Sequence, residues 1–88
     1  MANHKSALKR IRQSERRRKR NQHIRSGMRN HVKHFREAID AGDTAAATER
    51  FATAERSIRR AVTRGVIPRR RADRSVGRLA KALQALSQ

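Results

Sequence analysis

Cysteine, tryptophan and tyrosine are absent from the 88 residues; phenylalanine occurs twice, proline once and glycine four times. Without cysteine there is no disulfide framework and no thiolate set for a zinc finger. Two aromatic side chains cannot build the stacking sheet on which RNA-recognition motifs hold bases. No apolar run approaches the length that spans a bilayer, and the first residues lack the apolar centre of a signal peptide, so an intracellular, non-membrane chain is expected. Acids are scarce too: seven Asp and Glu face 24 Lys and Arg, a net charge of +17. Such a field repels itself and attracts polyanions, which points to nucleic acid or an anionic surface as the partner.

The charge is uneven. Residues 1–36 hold thirteen cations and one acid, Glu15, whereas residues 37–88 hold eleven cations and six acids. Nineteen of the cations are Arg, whose planar fork suits phosphate and stacks on bases. At the centre of the basic half stands Arg16-Arg17-Arg18-Lys19-Arg20, and from Arg12 to His23 no side chain is apolar. The run contains neither Pro nor Gly and consists mainly of good helix formers. A helix without an apolar face is stabilised by a partner or not at all. Like-charged pairs such as Arg12/Arg16 and Arg16/Arg20, one turn apart, each oppose the helix by a few tenths of a kcal/mol until phosphates neutralise them. Glu15 with Lys19 is the expected favourable pair. Arg12, Arg16, Arg17, Lys19 and Arg20 are therefore candidate polyanion contacts, preferred over a merely solvated face because acids do not alternate with them.

Three amphipathic segments follow from the apolar spacing. Ser6 reads as an N-cap, with Ala7, Leu8 and Ile11 as a short stripe behind it. Ile24, Met28, Val32, Phe35 and Ile39 then recur every three to four residues, the signature of one buried helical face. Between Ser6 and Ala41 only Ser26-Gly27 weakens the pattern. One continuous helix there spans roughly 54 Å, too long for so small a bundle to cover, so its first half should project. Gly42 suits the left-handed position after a helix and Asp43 the next N-cap. A second helix runs to about Arg64 with Ala47, Phe51, Ala54, Ile58, Ala61 and Val62 on one face, and Gly65 ends it. Val66 and Ile67 connect to a third helix with Pro68 at its first position and Ala72, Val76, Leu79, Leu83 and Leu86 along its face. The expectation is an all-α, three-helix antiparallel bundle of residues 24–88, with residues 1–23 as a basic projecting segment of the same domain. Numerous Ala, with Gly77, predict closely approaching helices. A chain this short and this charged should be only partly ordered on its own.

Other clusters carry less. Arg69, Arg70, Arg71, Arg74 and Arg78 open the third helix, and Arg71, Arg74 and Arg78 share a face, as phosphate contacts or as a solvated surface; Arg69 is placed to pair with Asp73. His31 and His34, one turn apart, read as solvated or phosphate-contacting rather than as metal ligands. Glu37, Asp40 and Asp43 gather near the first turn, where capping by Asp43 and an Arg36–Asp40 pair explain them more simply than magnesium does. There is no nucleophile–base pair and no glycine-rich phosphate loop, so neither an enzyme nor a cofactor or metal site is expected.

Taken in order, Ala2-Asn3, Lys5-Ser6-Ala7, Lys9-Arg10, Gln13-Ser14-Glu15, Asn21, Arg25-Ser26, Ala38-Ile39, Ala41-Gly42-Asp43, Ala45-Ala46-Ala47, Gly65, Ile67, Ala72, Arg74 and Arg78-Leu79 give a pattern over nearly the whole chain. That pattern resembles the bacterial ribosomal protein S20 family of the small subunit. The resemblance implies a three-helix bundle with an extended first helix that binds small-subunit ribosomal RNA directly and early, in the cytoplasm. It also implies RNA contacts at Asn3, Lys5, Ser6, Lys9, Arg10, Gln13, Asn21, Arg25, Ser26 and Arg29, with Arg74 and Arg78 from the third helix; Arg70 and Arg71 join them as basic neighbours. The chain departs from the family pattern at Pro68, Arg70, Asp73 and Val76. Other small-subunit components are further possible neighbours, and no membrane partner or homo-oligomer is expected. The alternative is a chromatin-like DNA-binding protein whose basic helix enters the major groove, but Gly42 turns the chain back where a dimerising heptad would have to continue.

Overall fold

The computed structural model describes residues 2–88, with side chains from His4 onward. Among the described residues there are three helices and no strand: α1 (Ala2–Asp40), α2 (Thr44–Thr63) and α3 (Arg69–Ser87). α1 begins at Ala2, so Ser6 lies inside the helix instead of capping it. Nothing in residues 2–5 opposes a helix, and the cap expected at Ser6 has no turn to initiate. Gly27 does not break α1 either.

Both turns use the same device. Gly42 has φ 71° and Gly65 φ 73°, the left-handed conformation that costs glycine nothing. After α1, the Gly42 amide donates to the Ile39 carbonyl at 3.0 Å and the Asp43 amide to Ala38 at 3.1 Å. After α2, Gly65 donates to Val62 and Val66 to Ala61, both at 2.9 Å. These are paired Schellman bonds, and they satisfy carbonyls that the helix ends would otherwise leave free. Asp43 then starts α2, its side-chain oxygen accepting from the Ala46 amide at 3.0 Å. Pro68 sits at the N-cap of α3, one residue before the position expected for it, and its carbonyl accepts from Ala72.

α2 is the middle element: α1 and α3 each pack along it and barely meet one another. The core joins Phe35 and Ala38 to Ala47, Ala54, Ile58 and Ala61, then to Val66, Ile67, Ala72, Val76 and Leu79. Ala47, Ala54 and Ala61 recur every seven residues and are fully buried, so α2 brings its backbone close to its neighbours there. Gly77 takes no part in that approach; it is exposed, with open space where a Cβ would stand. Phe35 of α1 meets Phe51 of α2 with ring centroids 5.9 Å apart and tilted by 58°.

Length decides what remains uncovered. At 1.5 Å per residue the 39 residues of α1 reach about 58 Å, and the 20 of α2 about 30 Å. α2 therefore pairs with only the second half of α1, and the molecule measures 67 × 22 × 14 Å.

Candidate nucleic-acid interface

Every residue from His4 to Arg20 is exposed, and burial begins only at Asn21 and Ile24. The inward-facing row of α1 runs from half-buried Ile24 and Met28 to buried Phe35 and Ala38. Continued toward the N-terminus in the same steps of three and four, it passes through Asn21, Arg17, Gln13, Arg10 and Ser6. The row keeps its direction and changes its chemistry: hydrocarbon gives way to hydrogen-bonding and cationic groups where α2 ends.

Lys5, Ser6, Lys9, Arg10, Arg12, Gln13, Arg16, Arg17, Lys19 and Arg20 all present their side chains to solvent. The Asn3 side chain lies outside the described residues. Arg17, Asn21 and Arg25 line one shallow recess along α1 with Ser14, Arg18 and Gln22. Asn21 is half-buried there, and its Oδ1 is shielded from solvent without a hydrogen-bond partner. Glu15 pairs with Arg18 at 3.3 Å, three residues on, instead of with Lys19. Both side chains are more than half exposed, so the pair barely offsets the surrounding repulsion. Among the described residues, Leu8 and Ile11 are the exposed large apolar ones, at 46% and 61%.

Around the bundle the cations are arranged differently. Ile58 lies level with Met28 and Val32, and α2 ends five residues later. The start of α3, with exposed Arg70, Arg71 and Arg74, therefore stands near the root of the projecting half. Arg25, Ser26 and Arg29 are exposed on α1 in that region. Because α1 and α3 barely touch, a groove of about 230 Å³ opens between them. It brings Arg29 of α1 to the same cavity as Arg78 of α3, two residues far apart in sequence. Arg36, expected to pair with Asp40, joins them instead, seven residues past Arg29 on the same flank.

Asp73 does not pair with Arg69 on its own helix. It accepts from Arg59 Nη1 of α2, tying α2 to α3. That hydrogen bond, then the charges of Arg59 and Arg69, hold the Asp73 carboxyl below its ordinary range, against some desolvation; the same bond raises Arg59. Among the described residues, these two are the ion pairs, so Arg36 and Asp40 are not joined. On the opposite flank His31 and His34 line a shallow cleft between α1 and α2 with Glu37 and Thr53, where Arg50 Nη1 donates to the His34 carbonyl at 2.9 Å. Among the described residues no group of three His, Cys, Asp or Glu is placed to hold a metal ion, and no helix is long and apolar enough to cross a membrane.

Comparison with known proteins finds relatives over nearly the whole chain. A family profile described as ribosomal protein S20 matches residues 2–84. The chain is 51% identical over 87 residues to the small ribosomal subunit protein bS20 of Geotalea daltonii, covering 99% of this chain and 100% of that one. It is 48% identical to the bS20 protein of Geobacter metallireducens, over 98% of this chain and 99% of the relative. The bS20 protein of a Nitratiruptor species is 41% identical over 100% of this chain and 98% of its own.

Proposed function

The chain belongs to the ribosomal protein S20 family, and from that premise we propose that it binds small-subunit ribosomal RNA directly through the projecting half of α1 and stabilises the RNA fold during subunit assembly. It does so as a structural, non-enzymatic constituent of the small subunit in the cytoplasm, with other subunit components as neighbours. The observation that carries this reading is the uninterrupted exposure of His4–Arg20 on a helix whose cations surround its axis. Residues 1–23 act as the RNA-contacting segment and residues 24–88 as the bundle that anchors it.

The mechanism is charge and shape readout. Regular RNA helices hide their base edges in a deep, narrow groove, so a rigid rod recognises the placement of backbones rather than a sequence. Lys and Arg displace counterions from phosphates, and Arg does so with paired hydrogen bonds. Ser6, Gln13, Asn21 and Ser26 supply uncharged hydrogen bonds to phosphate or the 2′-hydroxyl. A helix with cations on all sides serves where RNA surrounds it, holding several RNA helices at fixed separations. Each phosphate contact also removes a like-charge repulsion along α1, so binding and helix formation reinforce one another.

Binding to small-subunit ribosomal RNA, mixed DNA duplexes and anionic vesicles across a salt series tests this. The expected result is a clear preference for the ribosomal RNA that persists at moderate salt. Equal affinity for DNA and ribosomal RNA at moderate salt overturns it.

A further inference from the structure

Among the described residues, the groove between α1 and α3 combines an apolar floor with a cationic rim. Its floor is apolar: Met28 and Val32 from α1, Ile58 from α2 and Leu79 from α3. Its rim carries three guanidinium groups, Arg29 and Arg36 on one side and Arg78 on the other, and no carboxylate lines it. Ser75 supplies the remaining polar group. Thr48, Thr53, Thr63 and Ser87 each give their hydroxyl to the backbone carbonyl four residues back. Ser75 makes no such bond among the described residues, and its hydroxyl is free to meet a ligand.

A site with a hydrocarbon floor, a cationic rim and one spare hydroxyl suits an occupant that is flat and weakly polar but flanked by negative charge. A nucleobase turned out of an RNA strand has that form: its faces are apolar, its edges hydrogen-bond, and a phosphate stands on either side. Duplex RNA cannot enter, because the floor lies recessed between two helices. An unpaired base can, and splayed bases are how RNA is read apart from its shape. We propose that this groove is a seat for a single unpaired nucleotide of the bound RNA. The base lies on Met28, Val32 and Leu79, Ser75 bonds its edge, and Arg29, Arg36 and Arg78 hold the flanking phosphates. This rests on the RNA-binding reading above and adds a subsite specific for an unpaired base to the charge readout of the rod.

The test uses the full-length protein and three RNA duplexes: fully paired, with one unpaired adenosine, and with an abasic residue at that position. The adenosine-bulged duplex is expected to bind at least about tenfold more tightly than either of the others, a difference of about 1.4 kcal/mol. Ser75→Phe fills the groove from its rim without removing core atoms, and it should abolish the preference while leaving binding to the paired duplex and the helical circular dichroism unchanged. Equal affinity for bulged and paired duplexes overturns the seat but leaves the charge readout standing. An abasic bulge that binds as tightly as the adenosine bulge overturns it too, since backbone flexibility then explains the gain. A preference that survives Ser75→Phe places the base elsewhere and also overturns the proposal. Failure to bind any of the three duplexes at low salt overturns the RNA-binding reading itself.

Discussion

The two halves of α1 share one backbone, one helical row and similar intrinsic propensities, yet different forces hold them. From Ile24 to Asp40 the row ends on Phe35 and Ala38, fully or almost fully buried against α2. From His4 to Arg20 the continuation of that row meets only solvent. Helix propensity alone sustains short helices poorly, and tertiary packing of one face supplies most of the stability. The bundle half carries that support within the chain. The projecting half has charges that oppose it in isolation and favour it beside phosphates.

The largest break in that comparison comes from the bundle side. Phe35→Ala removes a fully buried ring and its tilted contact with Phe51, and should cost about 3–5 kcal/mol. Thermal unfolding monitored at 222 nm measures it. Arg17→Ala, on the continuation of the same row, should change the melting curve by less than about 0.5 kcal/mol. Similar losses from the two substitutions would mean that the projecting half is packed after all.

From the other side, replacing Arg16, Arg17, Lys19 and Arg20 together by Ala removes like-charge repulsion and should not lower the melting temperature, while weakening ribosomal RNA binding. Loss of about four phosphate contacts flattens the dependence of log K on log salt by roughly 3–4 units. The affinity loss at moderate salt should be on the order of 100-fold, about 2.7 kcal/mol. An unchanged salt slope would remove these four residues from the interface.

Gly27 stands where the halves meet, half-exposed, with nothing near the position of a Cβ and an ordinary helical backbone. Gly27→Ala should stabilise α1 by about 0.5–1 kcal/mol and extend helix from the bundle into the basic run. Circular dichroism of the free wild-type protein should show less helix than three full helices imply, with RNA raising it, and Gly27→Ala should narrow that gap. A free wild-type chain already fully helical would contradict the account of coupled folding.

How much of this was legible depended on whether the deciding interaction was local. The fourteen large apolar residues from Ile24 to Leu86 expected inside are all buried or half-buried, because a helical row needs only spacing to be recognised. Gly42, Asp43 and Gly65 occupy their turns as expected, since their signals lie within one turn of the chain. Partners set by the register between helices were not legible. Arg69 was the natural partner for Asp73 within α3, but the packing of α3 on α2 brings Arg59 closer. The groove joining Arg29, Arg36 and Arg78 exists because α1 and α3 diverge across α2, and no single stretch of sequence contains that divergence. Ser6 failed as a cap for a different reason: a stop or start signal acts only where neighbouring residues oppose the helix, and residues 2–5 do not.

The smallest effect separates the two regions by their ion pairs. Glu15–Arg18 closes within one turn of the projecting half, whereas Arg59–Asp73 joins two helices. Only the second can therefore link a protonation to the docking of α3. The Asp73 carboxyl lies below its ordinary range in the folded chain, chiefly because Arg59 hydrogen-bonds the charged form. A depressed carboxyl pKa stabilises the fold fully above the unfolded value, near pH 3.9, and that stabilisation is lost as pH falls from there through the folded value. The pair is exposed, so salt should diminish the effect. Melting temperature followed from pH 6 downward at low salt should drop more steeply near and below pH 4 for the wild type than for Asp73→Asn. Parallel curves for Asp73→Asn and the wild type would show that the bridge between α2 and α3 contributes nothing, leaving the buried row of Ala72, Val76 and Leu79 as what docks α3.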